Sequence, residues 1–188
     1  YDVKTIEKPE DLEKIDVLMM VHPRKLTPEM IEKIKSFSSD YGKIFVFLDA
    51  AAEARRLYMP SNTPFSASDL GGLDKFWGFK FYGDYVVADL DNSITVDATT
   101  NYQTNPAYTQ DVIQFKLKEN NFNPFHKVTK NLHTILLASS AVVMPEEGAN
   151  VDFTPLLQAS SNSALMPAEV VYNNLNPRQI LSFFKKQL

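Results

Sequence analysis

The sequence predicts an α/β fold: a mostly parallel open sheet with flanking helices, followed by a β-rich extension. Three observations carry that expectation. Ile15–Asp49 reads as an apolar strand, a punctuated helix and a second apolar strand that stops on an acid. The later half is richer in short strand-like runs than in helical ones. With 188 residues and 44% apolar content, the chain is long enough for one domain, spanning residues 1–188, with a real core.

The elements follow in order. Tyr1–Ile6 alternates as a strand and Pro9–Lys14 suits a short polar helix. Val17–Val21 is an unbroken apolar run, the pattern of a parallel strand buried on both faces. Thr27 offers an N-cap hydroxyl, Pro28 fits the first helical position and Glu29 complements the positive helix end. Met30, Ile34, Phe37 and Tyr41 form one apolar stripe, and Gly42 can take the left-handed conformation that ends the helix. Ile44–Leu48 is the second buried strand.

Beyond Asp49 the pattern loosens. Ala51–Met59 suits a helical turn and Pro60–Ser68 a surface loop. Ser68 or Asp69 can cap a helix through Phe76, with Leu70, Leu73, Phe76 and Trp77 inward and Gly78 ending it. Tyr85–Ala88 is a strand, Asp91–Asn92 a turn, Asn101–Asp111 a polar loop and Val112–Leu117 a short strand. Asn120–Lys130 is another loop. Thr134–Met144 is a strand interrupted at Ser139–Ser140, and Phe153–Ser160 reads as one more strand, which Pro155 limits to an edge or to a strand start. Asn176–Pro177 opens a last helix to Leu188.

Composition removes several chemistries. A net charge of −4 without a basic face argues against nucleic acid as a partner. The absence of cysteine excludes thiol nucleophiles, disulfides and thiolate zinc sites. No apolar run approaches the roughly 20 residues of a membrane helix. The opening YDVKTI reads as a strand already under way. We therefore expect a domain excised from a longer membrane-anchored protein, with its targeting and membrane segments outside these residues. No G-x-S-x-G elbow, P-loop or G-x-G-x-x-G fingerprint occurs, and the residues call for no cofactor.

The βαβ unit places His22, Pro23 and Asp49 at the carboxyl ends of neighbouring strands, the edge where open α/β sheets hold ligands. His22 and Asp49 form either a binding lip or, as the alternative, the acid–base pair of a hydrolase or transferase. The commoner meaning of such residues is a turn histidine and a capping aspartate. Asp89, Asp91, Asn92 and Asp97 form an acidic cluster. It lacks the Gly and Glu of an EF-hand loop, since those positions hold Ile94 and Thr100, and it reads as a solvated turn. His126 and His133 are too far apart for a helical zinc pair and suit surface or packing roles, so no metal site is expected. Tyr82, Tyr85, Tyr102 and Tyr108 are the platform a carbohydrate-binding module would use.

The order of segments resembles the extracytoplasmic domain of the ABC-type transport auxiliary family, which includes the gliding-motility auxiliary component. The matching pieces are DVLMMVHPRKLTPEMIEKIKSF, GKIFVFLDA and SDLGGLDKFWGFKFYGDYVVAD, then HKVTKNLHTILLASSAVV and FTPLLQASSNSALM. They cover roughly Ile15 to Met166. The resemblance implies a fold similar to class I glutamine amidotransferases (flavodoxin-like) with the nucleophile position vacated to Asp49-Ala50-Ala51. It implies no catalytic residues. It also implies a periplasmic setting at the cytoplasmic membrane of a bacterium. The implied partners are ABC permease and ATPase subunits or other envelope proteins, with a glycan or small solute as a further ligand class.

Overall fold

The computed structural model describes residues 2–52, 66–99, 105–173 and 176–184. Its front unit matches the expected βαβ. A 3-10 helix at Pro9–Lys14 leads to β1 (Val17–Val21), α1 (Pro28–Ser39) and β2 (Lys43–Phe47). β1 and β2 pair in parallel, with Val17 opposite Lys43 and Val21 opposite Phe47. Thr27 Oγ1 accepts the Met30 amide at 3.2 Å, and Pro28 occupies the first turn. The residue that ends α1 in the left-handed region is Tyr41 (φ 65°), not Gly42. Gly42 donates to Phe37 O at 2.9 Å, the closing bond of a Schellman motif. A Cβ at Gly42 would lie 2.4 Å from that carbonyl, so close approach is what requires glycine there. Residues 2–7 form no strand, contrary to the alternation at Tyr1–Ile6.

The rest of the chain overturns the expected fold class. After α2 (Leu73–Phe76) come β3 (Phe79–Tyr82), β4 (Tyr85–Asp89), β5 (Ser93–Asp97) and β6 (Tyr108–Lys118). These are followed by β7 (Thr134–Ala138), β8 (Val142–Pro145), β9 (Ser163–Pro167), α3 (Ala168–Asn173) and α4 (Pro177–Phe183). Among the described residues every strand pairing after β2 is antiparallel: β3 with β8, β4 with β9, and β6 between β5 and β7. The architecture is thus a set of short, mostly antiparallel sheets with few helices, not a mostly parallel open sheet. The reason is connectivity. A parallel neighbour needs a crossover of a dozen or more residues, usually a helix, and among the described residues only α1 supplies one. β5, β6 and β7 follow one another and pair antiparallel through loops with no crossover α-helix, while β3 and β4 pair with the later β8 and β9.

Other expectations shift for local reasons. The helix through Phe76 shrinks to one turn because Gly71 and Gly72 both hold positive φ. Leu70 and Leu73 are buried as expected, whereas Phe76 is exposed. The interruption at Ser139 is real: it takes φ 47° and divides β7 from β8. Phe153–Ser160 contributes only a bridge from Leu157 to Phe122. The helical turn and loop expected over 53–65 lie outside the described residues, as do residues 101–104 of the loop expected over Asn101–Asp111, whose end from Tyr108 is strand β6 instead.

Three apolar clusters hold the fold. Leu12, Leu18, Met20, Ile34, Leu70 and Leu73 fill the space between the front sheet and α1. Val86, Ala88, Val112, Met166, Val171 and Ile180 form the central cluster, joined by Ala50 and Ala51 from just beyond β2. Val87, Phe115, Leu117 and Phe122 form the third. The chain leaving Asp49 therefore enters the core of the β-rich part at once. The carboxyl edge of the front sheet is a junction between the two parts.

Candidate functional site

At that junction Ser68 joins the two residues singled out by sequence. Its Oγ accepts the Asp49 amide at 2.8 Å and lies 2.9 Å from His22 Nδ1. The Ser68 amide returns a bond to Asp49 O at 2.8 Å. The Asp49 carboxylate accepts the Ala51 amide at 2.9 Å, turning the chain toward the core. His22 extends β1 by donating its amide to Phe47 O, and the Asp69 amide donates to Pro23 O. These bonds hold His22 at φ 45°, a left-handed conformation uncommon for a residue with a side chain. Ser68 carried no sequence signal beyond helix capping, because its partners lie 19 and 46 residues away.

The chemistry available here is limited by burial. A serine nucleophile needs an exposed oxygen beside a base. Ser68 has the neighbouring imidazole, but it is 7% exposed and its oxygen already takes the Asp49 amide. Pro23 is buried and His22 and Asp49 are half-buried, and their hydrogen bonds tie this edge together.

The accessible feature beside this edge is the outer face of the front sheet. Val17, Met19 and Val21 of β1 and Phe45 and Phe47 of β2 are each between 44% and 64% exposed. The register sets Met19 against Phe45 and Val21 against Phe47, so the five side chains form one contiguous strip. The expectation of strands buried on both faces is therefore wrong for this pair: α1 covers one face, and the other is half-exposed, with no element among the described residues packed over it.

The family model described as an ABC-type uncharacterized transport system, ABC_transp_aux, matches residues 1–187. The chain belongs to that family. No curated protein and no solved structure matches the chain. The family is that of an auxiliary component of an ABC-type transport system, which agrees with the resemblance of the sequence and associates the protein with a membrane process. Among the described residues, no helix is long and apolar enough to cross a membrane.

Other candidate chemistry in this auxiliary component resolves into structure. Asp89 is fully buried, not in a solvated turn. Its two oxygens accept four bonds, from the amides and side chains of Asn92 and Ser160, at 2.7–3.1 Å. Burial alone would raise its pKa. The bonds from Ser160 and Asn92 outweigh that and hold the carboxyl below the usual aspartate range. Asp97 caps its own loop through Thr99 and Ala107. Among the described residues no group of three His, Cys, Asp or Glu could hold a metal.

His126 accepts the Val128 amide within its loop, and the exposed His133 pairs with Glu119. Tyr82, Tyr85 and Tyr108 stand on three different sheets and make no shared platform; Tyr102 lies outside the described residues. A cleft of about 450 Å³ lies at the other end of the front unit, lined by Glu13, Asp16, Lys33, Phe37, Tyr41 and Lys43. It is remote from His22 and Asp49 along the strands, and the Lys33–Glu13 ion pair forms part of its wall.

Proposed function

We propose that this chain is a non-catalytic binding and scaffolding domain of an ABC-transporter auxiliary protein. It works on the extracytoplasmic face of the cytoplasmic membrane, in a system of the gliding-motility type, as the resemblance implies. The observation that carries the binding role is the bare strip of Val17, Met19, Val21, Phe45 and Phe47 beside the His22–Asp49 edge. Its occupant is an amphipathic helix of a permease, ATPase-linked or other envelope subunit.

The dimensions favour a helix. Two strands make a strip about 10 Å wide, the diameter of one helix, and five residues run about 17 Å, the length of three helical turns. Five half-exposed side chains offer roughly 500 Å² of apolar surface, short of the ~800 Å² per partner that a stable pair of globular surfaces buries. That argues against a second copy of this chain as the occupant. A helix there would complete the two-sided cover that parallel strands normally have.

The test is co-purification of the full-length protein with the permease and ATPase of its own transport system. Phe45→Glu and Met19→Glu should each lower recovery at least tenfold, with thermal unfolding of the chain unchanged. Undiminished recovery would remove the strip from the reading. A hydrolase or transferase reading has one observation in its favour, the Ser68–His22 contact. It would prevail if the purified chain turned over amides or esters and lost that activity in Asp49→Ala.

A further inference from the structure

The loop between β6 and β7 carries a second, unrelated surface. Phe125 is 94% exposed and Val128 64% exposed, within one short bend. Single exposed apolar residues are ordinary. Here, however, the bend is built to hold them out. The Phe125 amide donates to Asn123 Oδ1, and Thr129 Oγ1 donates to Asn123 O at 2.6 Å. The Lys130 amide donates to His126 O and the Leu132 amide to Thr129 O. Asn123 is itself tied to the backbone of Pro155 and Leu156. Thr129 and Phe122 are buried and anchor the bend to the body.

Its charge is opposite to that of the molecule. Between Lys116 and His133 stand four lysines and one glutamate, in a chain of net charge −4. Lys127 and Lys130 flank Val128 and are exposed. Lys116 and Lys118 lie on the adjoining solvent face of β6, where Lys116 is in register with the exposed Leu136. The one acid, Glu119, is held 2.6 Å from the His133 ring.

We propose that this loop is a membrane-contact tip, in which Phe125 and Val128 enter the headgroup–acyl boundary of an anionic bilayer and Lys127 and Lys130 meet its phosphates. Lipid is favoured over a protein partner because lysine is depleted at protein–protein interfaces. Exposed apolar side chains, one of them aromatic, beside lysines are instead the chemistry of interfacial membrane binders. The contact is weak and adds to whatever else holds the protein at the membrane, since two apolar side chains and two cations make a marginal anchor.

The experiment is co-sedimentation of the 188-residue chain with vesicles of phosphatidylcholine alone or enriched in phosphatidylglycerol. Binding is expected to the anionic vesicles and to fall with added salt. Lys127→Gln and Lys130→Gln should each weaken it by roughly fivefold, and Phe125→Ser by roughly tenfold. A Phe125→Trp variant should gain a blue-shifted emission component only with anionic vesicles, beyond the signal of Trp77. No sedimentation with either vesicle, equal binding by the Phe125 and lysine variants, or capture only by an acidic polypeptide would each overturn the proposal. The substituted side chains are exposed, so unchanged thermal unfolding keeps a negative result interpretable.

Discussion

β1 and β4 look alike in sequence and differ in fate. VLMMV and YVVAD are both five-residue runs of mainly apolar residues, and both suit a strand covered on two faces. In β4 that cover exists. Val86 and Ala88 join the central cluster, while Val87, pointing the other way, joins Phe115, Leu117 and Phe122. In β1 only Leu18 and Met20 find a cluster, and Val17, Met19 and Val21 face outward. An apolar run therefore shows what a strand tolerates on each face. Whether both faces are filled depends on chain elsewhere, and at β1 the described residues fill only one.

The sharpest way to break this comparison uses two phenylalanines. Phe115 on β6 is 2% exposed and packs against the β4 side. Phe45 on β2 is 58% exposed. Phe115→Ala should cost about 3–5 kcal/mol in urea unfolding. Phe45→Ala should stay within about 0.5 kcal/mol in the isolated chain. Equal costs would mean that the outer face of the front sheet is covered in solution.

The second prediction concerns the end of β4. Each oxygen of Asp89 accepts two bonds from the Asn92 and Ser160 groups. Asp89→Ala would strand buried donors and should cost about 3 kcal/mol at neutral pH. Asp89→Asn is no substitute, because its amide sets a donor among four donors. The folded pKa is lowered, so this contribution is complete above the unfolded value of about 3.9 and is lost as pH falls through the folded value. Urea midpoints of Asp89→Asn should therefore change less across that acid window than those of the parent chain. Parallel pH profiles would show that Asp89 does not couple folding to pH.

The same contrast explains what could be read from sequence. Thr27, Pro28 and the turn at Tyr41–Gly42 act within a few residues of themselves, so the βαβ unit was legible to within a residue or two. The break at Ser139–Ser140 was legible for the same reason. Strand partners were not, because β3 pairs with β8 and β4 with β9, which lie far beyond them in the chain. Asp89 read as a solvated turn because its decisive partner, Ser160, lies 71 residues away. His22 and Asp49 were rightly placed at the ends of neighbouring strands, but the serine between them and the burial of Pro23 were invisible.

Ser68 gives the smallest expected loss among the buried side chains and bears most directly on the junction between the two regions. Its hydroxyl holds the Asp49 amide and the His22 ring together where the front sheet gives way to the β-rich core. Ser68→Ala keeps the backbone bond from residue 68 to Asp49 O and removes only the hydroxyl. The loss should be about 1 kcal/mol. It should be local, because Ala50 and Ala51 remain fixed in the central cluster. Hydrogen exchange separates this from a global effect. The Asp49 amide should exchange faster, while amides of β4 and β6 keep their protection relative to global stability. If Asp49 keeps its protection, the hydroxyl is not what ties the edge. If β4 loosens with it, the two regions share one cooperative unit, and the bare strip on β1 and β2 is as firmly held as the buried strand it resembles.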